Sequence, residues 1–203
     1  MKKIIFNNTE IILPKVICVG RNYVEHIQEL KNEVPSEIVL FIKPNVCITQ
    51  EIILPKTEKC RYESEISFLL KNKQIIAVGF GLDLTLPEVQ NRLKQKGLPW
   101  EKAKSFPNSA VFSEFIKINN IQNLSLEFLI NKKIKQKGSI DLMIHKPKEI
   151  LEEVEKCFEI EDYDILMTGT PQGIGFFKQG DECLARILEK DKIILEKKWH
   201  VKN

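Results

Sequence analysis

Histidine occurs only three times in these 203 residues, and the five cysteines, Cys18, Cys47, Cys60, Cys157 and Cys183, are odd in number and contain no Cys-x-x-Cys pair. This argues against a disulfide framework or a zinc ribbon and for a reducing compartment, so a cytoplasmic location is expected. No apolar run is long enough to span a bilayer, and no membrane association is expected. Met1 to Glu10 holds two lysines but no apolar core followed by a cleavage site, so it does not read as a signal peptide. Neither sign of charge dominates: 31 basic against 28 acidic residues, interleaved, produce no basic field. The densest stretches, Lys132 to Lys137 and Lys190 to Lys198, are broken by apolar residues and read as solvated strand faces and a turn. Nucleic acid is therefore not an expected partner.

What is present is a chain able to bury a core, expected to form one domain over residues 1–203. Short strand-like runs dominate: Ile11–Leu13, Val16–Val19, Val39–Ile42, Ile52–Leu54, Ile66–Leu70, Ile75–Leu84, Ala110–Ile118, Leu124–Ile130, Asp164–Thr168, Glu182–Leu188 and Ile193–His200. The lysine-rich stretch after Ile130 is expected to close a hairpin, with Gly138 and Ser139 breaking the run beyond it. Three helices stand out. The first follows Asn22 as cap, with Glu25 three residues on. The second has the box Thr85-Leu86-Pro87-Glu88 and ends at Gly97. The third starts near Pro147, with Ile150, Leu151, Val154, Cys157 and Phe158 at helical spacing. The expected class is mainly β with a few helices (α+β).

Period two puts Glu63, Glu65 and Ser67 on one strand face and Ile66, Phe68 and Leu70 on the other. Two carboxylates so placed repel unless water or a cation screens them, and an exposed face would satisfy them as well as a metal. Asp83 follows Gly79 and Gly81, which clear space on its face. It is read either as a turn residue before the second helix or as a third carboxylate. If Asp83 meets Glu63 and Glu65, the three make a hard oxygen site suited to Mg²⁺ or Mn²⁺. His26 and Glu29, at i and i+3, lie side by side on the first helix. A carboxylate there favours the charged imidazole and fixes the ring.

Several blocks, taken in order, resemble the fumarylacetoacetate hydrolase family, in particular its small acylpyruvase and oxaloacetate decarboxylase branch. They are Ile17-Cys18-Val19-Gly20-Arg21-Asn22-Tyr23, Leu40-Phe41-Ile42-Lys43-Pro44, Tyr62-Glu63-Ser64-Glu65, Leu82-Asp83-Leu84-Thr85, Gly97-Leu98-Pro99-Trp100, Ala103-Lys104-Ser105-Phe106 and Thr168 to Gly175. The resemblance implies a mixed β-roll, a homodimer, and Glu63, Glu65 and Asp83 as ligands of Mg²⁺, with Mn²⁺ or Ca²⁺ as alternatives. It also implies His26 with Glu29 as a base on a lid, Lys104 beside the metal, and Gln90 and Thr170 toward substrate, Thr170 at its carboxylate. Arg21 and Lys43 are further candidates for anionic groups. The implied reaction is hydrolysis of the carbon–carbon bond of acylpyruvates, with oxaloacetate decarboxylation beside it. The alternatives are an isomerase or hydratase of unsaturated 2-oxo diacids, and an inactive ligand-binding or structural dimer. Two departures from the family pattern are Arg61 and Tyr62, where a histidine usually precedes the first pair of acids, and a shortened stretch between Glu65 and Asp83.

Overall fold

The computed structural model describes residues 1–203 except Asn32 and Thr57. In chain order, β1 (Lys3–Phe6) and β2 (Thr9–Ile12) form a hairpin. They are followed by β3 (Lys15–Gly20), α1 (Val24–Glu29), β4 (Val39–Pro44), β5 (Ile48–Thr49), β6 (Arg61–Tyr62), β7 (Ser64–Lys71) and β8 (Gln74–Asp83). Then come α2 (Pro87–Gln95), α3 (Glu101–Lys104), β9 (Ala110–Phe112), β10 (Ile116–Lys117), β11 (Leu124–Ile130), β12 (Lys133–Ser139) and α4 (Pro147–Cys157). The last strands are β13 (Ile165–Met167), β14 (Gly175–Phe176), β15 (Glu182–Glu189) and β16 (Lys192–His200). The expected class, mainly β with few helices, is what the chain adopts.

A mixed sheet runs β4-β3-β13-β7-β8-β9-β5, with β10 also on β8; β3 is parallel to β13 and β5 to β9. A second, antiparallel sheet runs β12-β11-β15-β16. The side chains of Phe68, Phe80, Phe128, Ile187 and Trp199 fill one core between them, with Phe80 and Phe128 ring centroids 5.7 Å apart. β11 alternates buried and half-buried positions as its sequence predicts. β7 is buried on both faces, so its polar residues have no solvent to face.

Several expectations are adjusted by local chemistry. The lysine-rich stretch is itself β12, turned back on β11 by Asn131 and Lys132 at φ 51° and 66°, and it runs through Gly138 and Ser139. Ala110–Ile118 splits into β9 and β10, because Ser113 Oγ accepts the Phe80 N–H in place of a ladder partner. Ile52–Leu54 forms a single bridge, Ile53 to Lys202. Asn22 does not cap α1. Its amide donates to the Thr168 and His145 carbonyls at 2.8 and 3.0 Å and its Oδ1 accepts the His145 N–H, so the loop is sewn to the end of β13. Thr85 does not cap α2 either: its hydroxyl accepts a hydrogen bond from Lys104. α2 does stop where Gly97 takes φ 61°, and α4 starts at Pro147, with the Lys146 N–H donating to Glu149.

Candidate functional site

The register of β7 on β8 builds the acidic cluster. Ser64 pairs with Leu82 and Glu65 with Gly81, and the Asp83 N–H donates to the Glu63 carbonyl at 2.9 Å, which puts Glu63 opposite Asp83. Glu65 lies two residues along on the same face, facing a glycine. One carboxylate oxygen from each of Glu63, Glu65 and Asp83 lies within 4.8 Å of the others, and all three residues are buried. The reading of Glu63 and Glu65 as an exposed face, and of Asp83 as a mere turn residue, is thereby excluded.

Buried carboxylates need positive charge, and the chain supplies it from three directions. Lys104 Nζ lies 2.8 Å from Glu63 Oε2, 2.6 Å from Asp83 Oδ2 and 2.6 Å from Thr85 Oγ1. Lys43, completely buried, places Nζ 2.8 Å from Asp83 Oδ1 and also donates to the Leu84 and Lys104 carbonyls. Arg61 donates to Glu63 Oε1 from Nε at 3.1 Å and from Nη2 at 2.6 Å. Burial alone would push the Glu63 carboxyl up; Lys104, Arg61 and His26 together outweigh it and hold it well below the usual range. Glu65 goes the other way. Burial first, then Asp83, raises its carboxyl well above the ordinary value, against the Gly169 N–H that donates to it at 2.7 Å. A trio of oxygen donors, one of them reluctant to ionise without added positive charge, fits a hard divalent cation.

The Thr168–Gly175 turn uses its backbone donors on the protein's own acids. Gly169, at φ 95°, turns its N–H to Glu65, and Gly173 offers its N–H to both oxygens of Glu29 at 3.2 Å. Glu29 also lies 3.4 Å from His26 Nδ1. Burial of His26 lowers its pKa below the ordinary imidazole value, outweighing Glu63 and Glu29, which pull it up. Glu29 does pull the ring toward its charged form, as expected, but burial outweighs that pull.

His26, Arg21, Gln90 and Lys104 line one small cavity, about 40 Å³, together with Glu63, Arg61, Lys94, Trp100 and Phe41. Thus α1, α2, α3 and the end of β6 converge on the acidic cluster from residues far apart in sequence. Lys43 and Thr170 are not on that wall: Lys43 is committed to Asp83, and the Thr170 hydroxyl accepts from Gln136 at 2.8 Å. Arg61 and Lys94 are the charged residues of the cavity to which the sequence reading assigned no role. Arg61 was within reach of that reading, since it stands two residues before Glu63 and period two places both on one face. Lys94, with Nζ 4.8 Å from the Trp100 ring centroid, carried no such signal.

Residues 15–197 match the family described as fumarylacetoacetate (FAA) hydrolase C-terminal. The oxaloacetate tautomerase YcgM of Escherichia coli is 37% identical over 187 residues, which cover 83% of this chain and 85% of that protein. A crystal structure of a protein from Oleispira antarctica, provisionally assigned as a fumarylacetoacetate isomerase/hydrolase, superposes with a TM-score of 0.94 at 33% identity, covering 99% of this chain and 100% of that one. The fumarylpyruvate hydrolase of Pseudomonas aeruginosa, solved with Mn²⁺ and pyruvate, shares the fold at a TM-score of 0.87 and 23% identity over 99% of this chain and 95% of its own.

Proposed function

This chain belongs to the fumarylacetoacetate (FAA) hydrolase family of enzymes, and on that footing we propose that it moves a proton between carbon and oxygen in a short 2-oxo acid, oxaloacetate being the substrate that the name of its E. coli relative suggests. The observation that carries this reading is the shared cavity: Glu63 of the buried carboxylate cluster and the carboxylate-held imidazole of His26 line the same small space.

Glu63, Glu65 and Asp83 would hold the ion, Mg²⁺ or Mn²⁺ by the hardness of their oxygens. When bound, it supplies Lewis acidity that polarises a 2-oxo carbonyl and stabilises negative charge on its oxygen. Lys104 adds a fixed positive charge beside the same oxygens. His26, whose burial disfavours the charged ring, takes the proton from the carbon next to the keto group, and returns it to oxygen in the enol direction. Glu29 holds Nδ1 and is itself held by the Gly173 N–H, so the imidazole is fixed from two sides. Arg21 and Gln90 line the cavity where they reach the polar groups of the substrate.

A second reading is hydrolysis of acylpyruvates. It is favoured by an adjoining cavity of about 430 Å³, lined by Leu40, Phe41, Leu98 and Trp100 and meeting the first at Phe41, Trp100 and Lys104. An apolar acyl tail fits that space, and His26 would then activate water against the distal carbonyl. Decarboxylation of oxaloacetate is separated from tautomerisation by its product, pyruvate.

The test follows enol absorbance of oxaloacetate and pyruvate release with Mg²⁺ or with chelator, for the wild type, Glu63→Ala and His26→Ala. Enol decay is expected to accelerate with Mg²⁺ only, and to fall at least a hundredfold in both variants. No turnover of oxaloacetate or of acylpyruvates with Mg²⁺ or Mn²⁺ overturns the reading.

A further inference from the structure

Arg61 differs from the other two cations that touch the acidic cluster. Lys43 is sealed from the cavity, and Lys104 is shared among Glu63, Asp83 and Thr85. Arg61 both grips Glu63 and lines the cavity. Its backbone is pinned, with Arg61 N donating to the Thr85 carbonyl at 2.9 Å and Thr85 N donating back at 3.0 Å. Nε and Nη2 both go to Glu63 Oε1, while Nη1 makes no hydrogen bond among the described residues. The guanidinium fork therefore has a donor left over, on a residue that lines the cavity.

The charge count gives this donor a consequence. Once a divalent ion has drawn Glu65 into its ionised form as well, three carboxylates stand beside three cations, Lys43, Arg61 and Lys104, which contact Asp83 and Glu63. A divalent ion among the carboxylates leaves the cluster with two positive charges, and Arg21 and Lys94 line the same cavity. Only one acid of the cluster, Glu63, reaches the cavity wall, with Arg61 already occupying one of its oxygens. Bare metal entry is thus opposed by like charge, and a dianion neutralises what a monoanion leaves half balanced.

Resting on the metal-site reading above, we propose that Arg61 is a specificity-determining residue: by occupying Glu63 Oε1 and facing the cavity, it makes binding of the divalent ion and of a dianionic 2-oxo acid mutually dependent, and selects against monoanions. The ligand class is a short 2-oxo diacid, with one carboxylate beside the keto group and the second within reach of the Arg61 fork.

Calorimetric titration with Mn²⁺ tests this without turnover. It is run alone, with oxalate as dianion and with pyruvate as monoanion, corrected for Mn²⁺–oxalate complexes in solution, on the wild type, Arg61→Gln, Arg61→Lys and Glu63→Ala. In the wild type, oxalate is expected to tighten Mn²⁺ binding at least tenfold more than pyruvate does. In Arg61→Gln, bare Mn²⁺ binding is kept or tightened, and the extra gain from oxalate shrinks about tenfold, the order expected for removing one unit charge near a partly buried anion. Arg61→Lys, which keeps the charge and loses the fork, falls between. Equal oxalate gains in wild type and Arg61→Gln overturn the proposal, as does loss of Mn²⁺ binding in Arg61→Gln with its circular dichroism and melting unchanged. Should Arg61→Gln fail to fold, an oxalate gain in Arg61→Lys equal to the wild type's, or a loss of its Mn²⁺ binding, overturns it instead. If the wild type takes up no Mn²⁺ either alone or with oxalate, or Glu63→Ala takes it up equally well, the metal-site reading itself falls, a result distinct from an Arg61 failure.

Discussion

Glu63 and Asp83 face each other across the end of the β7–β8 pair, joined by the Asp83 N–H to the Glu63 carbonyl at 2.9 Å, and a single ammonium, Lys104 Nζ, spans their side chains at 2.8 and 2.6 Å. Burial lowers the tendency of Lys104 to stay charged, but Asp83 and Glu63 more than reverse this and raise its pKa above the ordinary lysine value. Lys104→Met keeps length and removes charge, leaving two buried carboxylates short of a partner. It is expected to destabilise the metal-free chain by about 3–5 kcal/mol, the usual cost of breaking a buried pair from one side. Mn²⁺ should restore part of that loss, since a cation again sits among the acids. Thermal melts with MnCl₂ and with chelator check this: the metal-induced rise in Tm should be larger in Lys104→Met than in the wild type. A smaller rise would show that Lys104 helps to build the ion's place instead of substituting for its charge.

A second prediction concerns the space beside Glu65. A Cβ on Gly81 would collide with Ser67 Oγ and lie 2.9 Å from Met167 Cε and 3.0 Å from Phe112 Cε1. The hydroxyl can rotate; the methionine on β13 and the ring on β9, both buried, have less room. Gly81→Ala should cost about 1–3 kcal/mol by overpacking. Because Gly81 pairs with Glu65, it should also weaken Mn²⁺ binding more than Gly97→Ala. At Gly97 nothing lies within 4 Å and the cost is confined to φ 61° at the end of α2. Urea melts and calorimetry on the pair separate the two effects.

The strands on one face of a sheet were readable because period two is a local property. Leu124 to Ile130 alternates, and Glu63, Glu65 and Gly81 could be put on faces by counting. What no local rule supplies is that β7 is covered on both sides, which turns an expected solvated acid pair into a buried one. The caps failed for a related reason. Asn22 and Thr85 carry good capping side chains, but each found a stronger demand in tertiary structure: Asn22 at three backbone groups of the His145 and Thr168 loops, Thr85 at the Lys104 ammonium. Two-residue strands such as β5, β6 and β14 have no period to detect; their pairing is set by the chain they meet. Lys43 looked like a substrate ligand from its charge alone, and its burial against Asp83 depended on β4 lying near the end of β8 in space.

A pH prediction follows from His26. Its folded-state pKa is lowered, by burial first, against the opposite pull of Glu63 and Glu29. The neutral ring is the competent base, so activity should hold as pH falls through the ordinary imidazole range near 6.5 and decline only below it. Glu29→Gln removes one of the two upward pulls, so the acid limb of kcat/KM should move to still lower pH while kcat drops about tenfold from loss of orientation. A limb that moves upward would mean that Glu29 acts by some route other than charge. The same shift affects stability: the unfolded chain takes up the proton that the folded ring resists, so His26 contributes stability above pH 6.5 that is lost as pH falls below it.

The thiols make the opposite prediction at high pH. Burial pushes Cys60 and Cys183 up to about 12, against an ordinary value of 9.0, and Tyr62 up to about 12 from 10.0. Well below pH 9 these groups are protonated in both states and add no slope. Between pH 9 and 12 the unfolded chain releases protons that the folded chain retains, so it binds fewer protons and stability must fall as pH rises. Cys183→Ala removes one such group from the core beneath β15 and β16. Its melting temperature should start lower, because a buried side chain is truncated, and then decline less steeply than the wild type's from pH 9 to 11. The raised values and the burial also set reactivity. Cys157 is the exposed thiol and Cys18, Cys47, Cys60 and Cys183 are buried, so alkylation of the native protein at pH 8 should label Cys157 alone, and denaturant should expose the other four. Early labelling of Cys60 would place its surroundings in exchange with solvent, and since Cys60 directly precedes Arg61, it would also loosen the strand that fixes the guanidinium on Glu63.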